Sequence, residues 1–395
     1  MQLTLDQAIA LALQHNHALL ASRTLIQQSQ ADQVTANLRP NPVISGDSIY
    51  FPVLNSGDYT RDYLNNGSQF DLGIGYLFER GKKRQHRLQA AKDVTAVTTA
   101  QVADNGRTLT FNVASQFIAA LLAQSNLEFA EQTLGSYQQT VDVSDSQYRA
   151  GAISEGDLLK IRLQLLQFQT DASAAKLARV EALASLRQLL GYNSVPPNYH
   201  VAGNLQYQAM TAGEDDLKAM ALRDRPDVRA AELGVTAAQS QLALAHANGK
   251  RNVNATVDYT HTAGVSSTSW FVNVELPIFD RNQGQIAHAR YAVTESQQLS
   301  GEQSSIALTD VDNAYQALRT SAQVVQLYQS GYLKQAQESR DISLYAYQRG
   351  ATSLLDYLDA ERSYRATELA YRQALANYMI TLEQLREAVG TRSLP

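Results

Sequence analysis

The chain has no cysteine among its 395 residues, which excludes disulfides, thiolate metal ligands and cysteine nucleophiles together. It also lacks any run near the ~18 consecutive apolar residues of a transmembrane helix, so a membrane span would have to be built from strands. Phosphate loops, G-x-S-x-G turns and H-E-x-x-H motifs are missing, and the seven histidines are scattered without metal-ligand spacing. The sequence therefore predicts a protein that is not an enzyme and that has neither a cofactor nor a bound metal.

Charge is scarce as well. Charged residues make up only 18% of the chain, and the formal net charge is −5. So low a charged fraction is unusual for a soluble protein of this size, and the acidic balance excludes the basic footprint of a nucleic-acid-binding protein. The opening segment from Met1 to Asp6 shows no basic stretch followed by an apolar one. The protein is therefore expected to be either cytoplasmic or an exported protein in its mature form, without a signal peptide.

Proline is rare and unevenly placed. Its eight copies leave residues 53–195 and 278–394 free of proline. Because proline breaks helix interiors, these intervals, which are rich in Ala, Gln and Leu, predict unusually long helices. A helix of about 65 residues would span about 100 Å, which no compact domain accommodates. The predicted long helices cover residues 82–149, 155–190, 284–349 and 354–389.

The most informative feature of the sequence is a duplication. A motif Tyr-x-x-Gly-x-x-Ser-x-x-Asp occurs twice, 199 residues apart. A repeat of this size is far longer than a solenoid repeat, so a whole module is duplicated. We predict a first repeat over 1–195, a connector over 196–213 and a second repeat over 214–395, each with a helix, two strands and two long helices. The motif residues are Tyr148, Gly151, Ser154 and Asp157 in the first repeat and Tyr347, Gly350, Ser353 and Asp356 in the second.

Four strands are predicted, over 42–53, 68–78, 252–261 and 268–277. Apolar and polar residues alternate along them, as in a strand that has lipid on one side and water on the other. A half-buried strand of a soluble sandwich alternates in the same way, so alternation alone leaves both interpretations open. Four strands cannot close a barrel, so the membrane interpretation requires several chains to share one. Aromatic residues near the predicted strand ends indicate a membrane interface; they are Trp270, Phe271, Tyr259, Phe70 and Tyr76.

The helix predicted over 155–190 carries two apolar stripes rather than one. A simple two-stranded coil needs a single seam, so two adjacent seams favour a helix with neighbours on both sides in a curved wall. The matching helix of the second repeat has tyrosines at a strict seven-residue period, which predicts packing with left-handed supercoiling rather than a ligand site. The first stripe begins with Leu158, Ile161, Leu165 and Phe168, the second with Leu159, Leu163 and Leu166, and the tyrosines are Tyr357, Tyr364, Tyr371 and Tyr378.

Taken over nearly the whole chain, the sequence resembles the TolC-type family of outer-membrane efflux channels. The resemblance rests on the two Tyr-x-x-Gly motifs, on the endings Leu-Leu-Gly191 and Ala-Val-Gly390, and on the opening Leu-Thr-Leu-Asp-Gln-Ala-Ile. It implies an α+β membrane protein that forms a homotrimer, with a 12-stranded shared β-barrel (four strands per chain) continuing into a long periplasmic α-helical barrel. It also implies outer-membrane lipid, a periplasmic adaptor protein and an inner-membrane pump of the RND type as partners.

A basic segment refines this resemblance. Residues Phe78 to Arg84, read Phe-Glu-Arg-Gly-Lys-Lys-Arg and followed by Arg87, are similar to the segment found in cobalt–zinc–cadmium efflux members of the family. A solvated helix start near the membrane surface is the simpler interpretation of the same residues. Whether the exported solute is a metal cation or a drug is left open by the sequence.

The duplicated motif marks a tight turn between two helices. Gly151 and Gly350 permit the turn conformation, and Ser154 and Ser353 are placed to cap the next helix. Asp157 and Asp356 follow the serines by three residues, as in a capping box, so both have a structural interpretation.

Asp359 has no such structural interpretation, and it lies on the same helix face as Asp356. The resemblance implies that Asp356 and Asp359 form a carboxylate ring at the periplasmic entrance, and that Tyr347 and Asp157 take part in a network that holds it shut. Repulsion within such a ring should raise the pKa values of its carboxylates. Thr352 stands where the family's prototype has an arginine that links this network.

The sequence therefore predicts a subunit of an outer-membrane channel that passively exports small toxic solutes, such as metal cations, in a tripartite efflux system. Two alternatives remain. One is an exit duct for secreted protein, which differs only in its partner. The other is a soluble or periplasmic coiled-coil scaffold with a small β domain, which would extract without detergent and show no pore.

Overall fold

The computed structural model describes residues 1–50, 53–54, 57 and 59–394, and the chain forms two compact units. The helical unit comprises Met1–Arg23, Gln101–Arg229 and Ser304–Pro395. The sheet unit comprises Thr24–Ala100 and Ala230–Gln303.

Helices make up most of the described chain. No helix among the described residues is both long enough and apolar enough to cross a membrane. The α-helices are α1 Leu5–His15, α2 His17–Asn37, α3 Arg61–Asn66, α4 Lys83–Arg149, α5 Glu155–Leu190, α6 Glu214–Asp224, α7 Pro226–Asn248, α8 Gln283–Leu327, α9 Leu333–Gln348 and α10 Leu354–Val389. The strands are β1 Gln2–Leu3, β2 Val43–Ile49, β3 Gln69–Phe78, β4 His200–Val201, β5 Val253–Thr262 and β6 Val265–Val274.

The sheet unit contains a four-stranded antiparallel sheet in the order β2-β3-β5-β6. The register aligns Ile74 with Val257 and Val257 with Trp270, so their side chains share one face. That face is apolar and exposed: the side chain of Trp270, for example, is 77% exposed. The opposite face carries Asp71 and Asp258. Among the described residues, the outer strands β2 and β6 pair on one side only.

The last strand differs from its prediction. β6 runs over Val265–Val274 instead of 268–277, because Ala263 and Gly264 both have positive φ (51° and 79°) and form a two-residue hairpin turn. The polar run that follows the turn hid the start of the strand from the alternation pattern. Trp270 therefore lies in the middle of β6 and not near its end.

Phe271 lies on the opposite face of the sheet from Trp270. It pairs with Thr256 and shares the face that carries Asp71 and Asp258, because successive strand residues point to opposite faces. Its predicted place at a membrane interface stays a prediction. The strand predicted over 42–53 is β2, which ends at Ile49 before Tyr50 with its φ of 57°; residues 51 and 52 lie outside the described residues.

The long helix predicted over 284–349 is interrupted. α8 ends at Leu327, a π-helical turn covers Tyr328–Tyr332, and α9 resumes at Leu333. Gly331 has a φ of 132° inside this turn, a conformation that a residue with a side chain rarely adopts. The counterpart in the first repeat, α4, runs for 67 residues.

The single helix predicted at the start of each repeat is a pair of helices. Asn16 separates α1 from α2 and Arg225 separates α6 from α7. Asn16 Nδ2 donates to the Leu189 carbonyl (2.9 Å), and an Arg225 guanidinium N–H donates to the Ala388 carbonyl (3.2 Å). The two joints occupy equivalent places in the repeats, and each is bonded to the last turn of the returning helix. The division into repeats at 195 and 214 otherwise stays a prediction.

Three apolar clusters stabilise the helical unit. One joins α1, α4 and α5, and it includes the β1–β4 pair at Leu3 and Val201. A second joins α6, α8 and α10. The third lies close to the helix–helix turns, and its members are Tyr137, Val141, Ile161, Phe168, Leu354 and Tyr357.

The two stripes of α5 have different surroundings. In the first stripe Ile161 is fully buried and Phe168 nearly so. In the second stripe Leu159, Leu163 and Leu166 are exposed, and Leu163 remains 68% accessible. The single chain therefore covers only one of the two seams.

Candidate functional site: the two helix–helix turns

The turn between α4 and α5 is a Schellman motif. Gly151 has a φ of 74°, and its N–H donates to the Tyr148 carbonyl (2.9 Å). The Ala152 N–H donates to the Gln147 carbonyl (2.9 Å). These bonds satisfy two of the carbonyls left free at the end of α4, and the left-handed conformation at Gly151 explains why glycine stands there.

The turn between α9 and α10 has the same geometry. Gly350 has a φ of 70°, and its N–H donates to the Tyr347 carbonyl (2.9 Å). The Ala351 N–H donates to the Ala346 carbonyl (2.8 Å). The duplicated motif thus produces two matching turns.

Serine caps the helix after each turn. In the first turn Ser154 Oγ accepts from the Asp157 backbone N–H (3.1 Å) and donates to the Asp157 carboxylate (2.9 Å). The Nζ of Lys160 lies 3.5 Å from the other carboxylate oxygen. Asp157 is half-buried, and its carboxylate has two local partners, the Ser154 hydroxyl and the Lys160 ammonium.

The second cap is a full capping box. Asp356 N–H donates to Ser353 Oγ (3.2 Å), and Ser353 N–H donates back to the Asp356 carboxylate (3.2 Å). The Asp356 carboxylate also accepts from the hydroxyls of Ser353 (2.7 Å) and Thr352 (2.9 Å). Thr352 is thus a direct partner of Asp356.

These bonds change the expectation for the charge of Asp356. The hydroxyl of Ser353, followed by that of Thr352, holds the pKa of Asp356 below its usual range because hydrogen bonds to the carboxylate favour its charged form. The prediction of a raised pKa weighed only repulsion between carboxylates and omitted these donors. In the single chain the hydroxyl donors therefore lower the pKa of Asp356, and the rise expected within an assembled ring stays a prediction.

Asp359 is exposed and lies one turn further along α10. Its carboxylate accepts from the Arg362 guanidinium, which is also exposed. Exposed pairs of this kind contribute little to stability. Asp359 is therefore accessible to dissolved ions. Arg362, which was not predicted as part of the site, places a positive charge beside it.

Tyr347 packs behind the second turn. Its ring stacks on Tyr357 with 5.7 Å between ring centroids and a 10° angle between planes. Burial raises the pKa of Tyr347; the nearby Ser144 hydroxyl opposes this shift, and the charge of Asp157 adds to it. Tyr347 and Asp157 are therefore close enough to interact electrostatically. No hydrogen bond joins them in the part of the chain that the structure describes.

Charged links near the turns were missed by the sequence analysis. Asp145 accepts from Arg149 (2.6 Å) and, across the α4–α5 hairpin, from Arg162 (2.7 Å). Arg365 on α10 pairs with Asp171 on α5, and its guanidinium lies 4.2 Å from the centre of the Phe168 ring. Links between residues nearly two hundred positions apart leave no local signal in one sequence.

Replacing Ser353 with alanine should loosen the first turn of α10. The change removes the cap acceptor and a donor to Asp356, at a cost of about 1 kcal/mol. Amide hydrogens of residues 355–358 should then exchange about fivefold faster, as measured by hydrogen–deuterium exchange mass spectrometry at neutral pH. Because the pKa of Asp356 is depressed in the folded chain, the carboxylate's contribution is present above about pH 4 and is lost as the pH falls further.

Ser363→Ala provides the control, since Ser363 is exposed in the middle of α10. This variant should exchange like the wild type. Equal exchange in the Ser353 variant and the wild type would contradict the cap.

No group of three His, Cys, Asp or Glu side chains suited to a metal ion occurs in the described ranges. The chemistry of the two turns is that of exposed carboxylates at the ends of helical hairpins.

Paired helical hairpins with matching turns, together with a four-stranded sheet whose apolar face is exposed, define an outer-membrane efflux protein. Residues 8–192 and 217–391 match the outer membrane efflux protein family, and the chain belongs to it. The predicted resemblance is confirmed.

Two relatives and one solved structure illustrate the likeness. The cation efflux system protein CusC of Escherichia coli (strain K12) is 27% identical over 378 residues, which cover 91% of this chain and 80% of the relative. The cobalt-zinc-cadmium resistance protein CzcC of Cupriavidus metallidurans is 23% identical over 394 residues, 98% of this chain and 88% of the relative. A crystal structure of CusC superimposes with a TM-score of 0.78 at 22% identity, covering 98% of this chain and 92% of that one. The predicted α+β fold class, with four long strands per chain, is confirmed.

Proposed function

We propose that three copies of this chain form an outer-membrane channel that passively conducts small toxic solutes, metal cations among them, out of the cell. The channel receives its solute from an inner-membrane pump of the RND type through a periplasmic adaptor. It has no catalytic step, because the partner pump supplies the energy.

The four-stranded sheet is the observation that carries this proposal. β3, β5 and β6 each have ten residues, enough to cross an outer membrane when tilted. An exposed apolar face of this kind is unstable in water and matches lipid. The outer strands β2 and β6 each offer a free edge, so pairing of β6 with β2 of the next copy would close a twelve-stranded barrel from three chains.

The open seam on α5 supports the same assembly. Leu159, Leu163 and Leu166 form a stripe at helical spacing that the single chain leaves exposed. In a trimeric helical barrel each hairpin has a neighbour from another copy, and such a neighbour covers this stripe. The aromatic residues predicted for the membrane interface lie at different heights along the sheet. Phe70 and Tyr259 lie towards one end, Tyr76 lies towards the other, and Trp270 lies between them.

Metal cations are proposed as the solute on two grounds. Two relatives that match along most of the chain are named for cation efflux and for cobalt, zinc and cadmium resistance. In addition, Asp356 and Asp359 stand exposed after the second turn, and three copies would place six carboxylates around the entrance. Acidic rings concentrate cations and repel anions. Tyr347 and Asp157, which lie close together behind these turns, are proposed to hold the entrance closed.

Neutralising both carboxylates tests this proposal. The double variant Asp356→Asn and Asp359→Asn should lower the preference for cations over anions about twofold or more, because the charge at the entrance is removed. The measurement is the reversal potential of the purified channel in a planar bilayer under a KCl gradient.

The matched control is Asp215→Asn with Asp216→Asn. It removes the same charge from exposed positions on α6, and its reversal potential should equal that of the wild type. An unchanged preference in the Asp356 and Asp359 variant removes the ring from the mechanism. An equal loss in the control shows that net charge, and not the ring, sets the preference.

A further inference from the structure

Basic side chains surround one end of the sheet. Four short segments connect that end to the helices: residues 38–42, 79–87, 249–252 and 275–283, here called the collar. They contain nine Lys or Arg and three acidic residues, a net charge of +6 in a chain whose total is −5. At the opposite end, the described connecting residues 50, 53–54, 57, 59–68 and 263–264 carry one Arg and one Asp. The sheet is therefore strongly polarised in charge.

The acidic residues of the collar are already paired. Glu79 accepts from Arg87 (2.9 Å), and Arg251 pairs with Glu275 (3.1 Å) and lies 3.6 Å from Asp280. In the described part of the collar, five exposed basic side chains lie beyond salt-bridge distance of any acid. They are Arg39, Arg80, Lys82, Lys250 and Arg281.

The backbone brings some of these charges together. Gly81 has a φ of 71°, and a side chain there would meet the Lys250 side chain at 2.7 Å. Glycine thus lets Lys250 pack directly between Arg80 and Lys82. Burial, and the positive charge of Arg251, lower the pKa of Lys83, whose Nζ donates to Asn252 (2.8 Å). The collar therefore brings basic residues of two segments together, and its three acidic residues offset only part of their charge.

A second feature of the collar points to lipid. The segment between β6 and α8 exposes Leu276, Ile278 and Phe279, and the Phe279 side chain is 90% exposed. Apolar and aromatic side chains next to Lys and Arg are typical of segments that lie at a membrane surface, with the rings in the interface and the cations at the phosphates. This segment continues directly from the exposed apolar face of the sheet.

We infer that the collar binds the phosphate headgroups of anionic phospholipids in the leaflet at this end of the sheet, while Leu276 to Phe279 insert beside them. The inference rests on the proposed membrane location of the sheet. Guanidinium and ammonium groups recognise phosphate by charge-assisted hydrogen bonds. The collar would then fix the depth and tilt of the channel in the membrane. This binding explains why five of its basic side chains have no acidic partner among the described residues.

The test compares two short-chain lipids on the full chain in detergent. Dioctanoyl phosphatidylglycerol should bind more tightly than dioctanoyl phosphatidylcholine, as measured by native mass spectrometry. The triple variant Arg80→Gln, Lys82→Gln and Arg281→Gln should bind phosphatidylglycerol about tenfold more weakly and phosphatidylcholine unchanged. Raising NaCl from about 50 to about 300 mM should also weaken the binding of phosphatidylglycerol to the wild type.

The control variant carries Arg23→Gln, Lys176→Gln and Arg319→Gln, three exposed positions in the helical unit. It makes the same charge change and should bind like the wild type. Equal affinity for both lipids, an unaffected collar variant, or an equal loss in the control overturns the inference.

A fluorescence measurement tests the apolar segment separately. Trp270 is the single tryptophan of the chain, so Trp270→Phe combined with Phe279→Trp places one probe in the collar. In vesicles, phosphatidylglycerol brominated on its acyl chains should quench this probe. Absence of quenching shows that a neighbouring copy covers the segment and overturns its insertion into lipid. Conductance of the same preparation distinguishes failure of the collar from failure of the proposed channel. A protein that conducts but shows no preference for phosphatidylglycerol rejects lipid binding by the collar and leaves the proposed channel in place.

Discussion

Replacing Arg225 with methionine is expected to lower the free energy of unfolding of the chain by about 3–5 kcal/mol. Arg225 is only 2% exposed and joins three helices at the α6–α7 joint. Its guanidinium donates to Asp227 (2.6 and 3.0 Å), to Asp310 (2.9 Å) and to the Ala388 carbonyl (3.2 Å). Methionine fills much of the same space but leaves the largely buried Asp227 carboxylate without its main partner, which is why the cost is large.

The thermal midpoint of the purified protein in detergent measures this loss. Arg223→Met is the matched control, because Arg223 is exposed and its only acidic partner among the described residues is its neighbour Asp224. Exposed pairs of this kind contribute little to stability. The thermal midpoint of Arg225→Lys should lie between those of Arg225→Met and Arg223→Met, since an ammonium keeps the charge but cannot reproduce the forked geometry of the guanidinium. An Arg225→Met protein as stable as the Arg223→Met protein would contradict the role of this joint.

The same site predicts a pH dependence. Burial alone would raise the pKa of Asp227, but hydrogen bonds and the charge of Arg225 outweigh it and hold the pKa below its usual range. A folded-state pKa below the unfolded one contributes stability above about pH 4, and this stability is lost as the pH falls through the folded value. Arg225→Met removes the main cause that lowers the pKa of Asp227, so acidification should narrow the difference in thermal midpoint between variant and wild type.

Replacing Gly191 with alanine is the second large effect. Gly191 ends α5 with a φ of 88°, and a side chain there would meet the backbone carbonyl oxygen of His15 at 2.6 Å. The variant therefore suffers both an unfavourable backbone conformation and a clash with backbone that cannot rotate away. We expect a loss of about 2–5 kcal/mol, against about 1 kcal/mol for the conformation alone.

Gly151→Ala supplies the contrast. Gly151 has a similar φ of 74°, but no atom of the described chain lies within 4 Å of an added side chain. The two variants differ in the clash and share the conformational cost, so their thermal midpoints should differ clearly. Equal midpoints would show that the contact between the end of α5 and α1 is loose.

The turns were the most predictable part of the candidate site. Their conformation is encoded locally: glycine supplies the positive φ, and a serine three residues later caps the next helix. For this reason Gly151, Ser154, Gly350 and Ser353 indicated the geometry without any knowledge of the fold. The roles proposed for Asp356, Asp359, Asp157 and Tyr347 in the channel stay predictions.

Features that depend on distant residues were not predictable in the same way. The bond from Arg225 to Ala388 joins residues 163 positions apart. The start of β6 was hidden because a polar stretch follows the hairpin turn at Gly264, so alternation begins late. The break at Gly331 had a local cause, yet a single glycine inside a long helical pattern is often tolerated. Ser353 and Thr352 show a further limit: their hydroxyls lower the pKa of Asp356 in the single chain, an effect that charge alone does not indicate.

Single-channel conductance of the purified full chain in a planar bilayer tests most directly whether the chain forms a channel. The wild type and the double variant Tyr347→Phe with Asp157→Asn are compared, because the proposed closure would make the wild type conduct less often than the variant. We expect discrete ohmic steps from the variant, with currents carried mainly by cations. If both proteins are folded and inserted in the membrane but neither conducts, the proposed channel is contradicted.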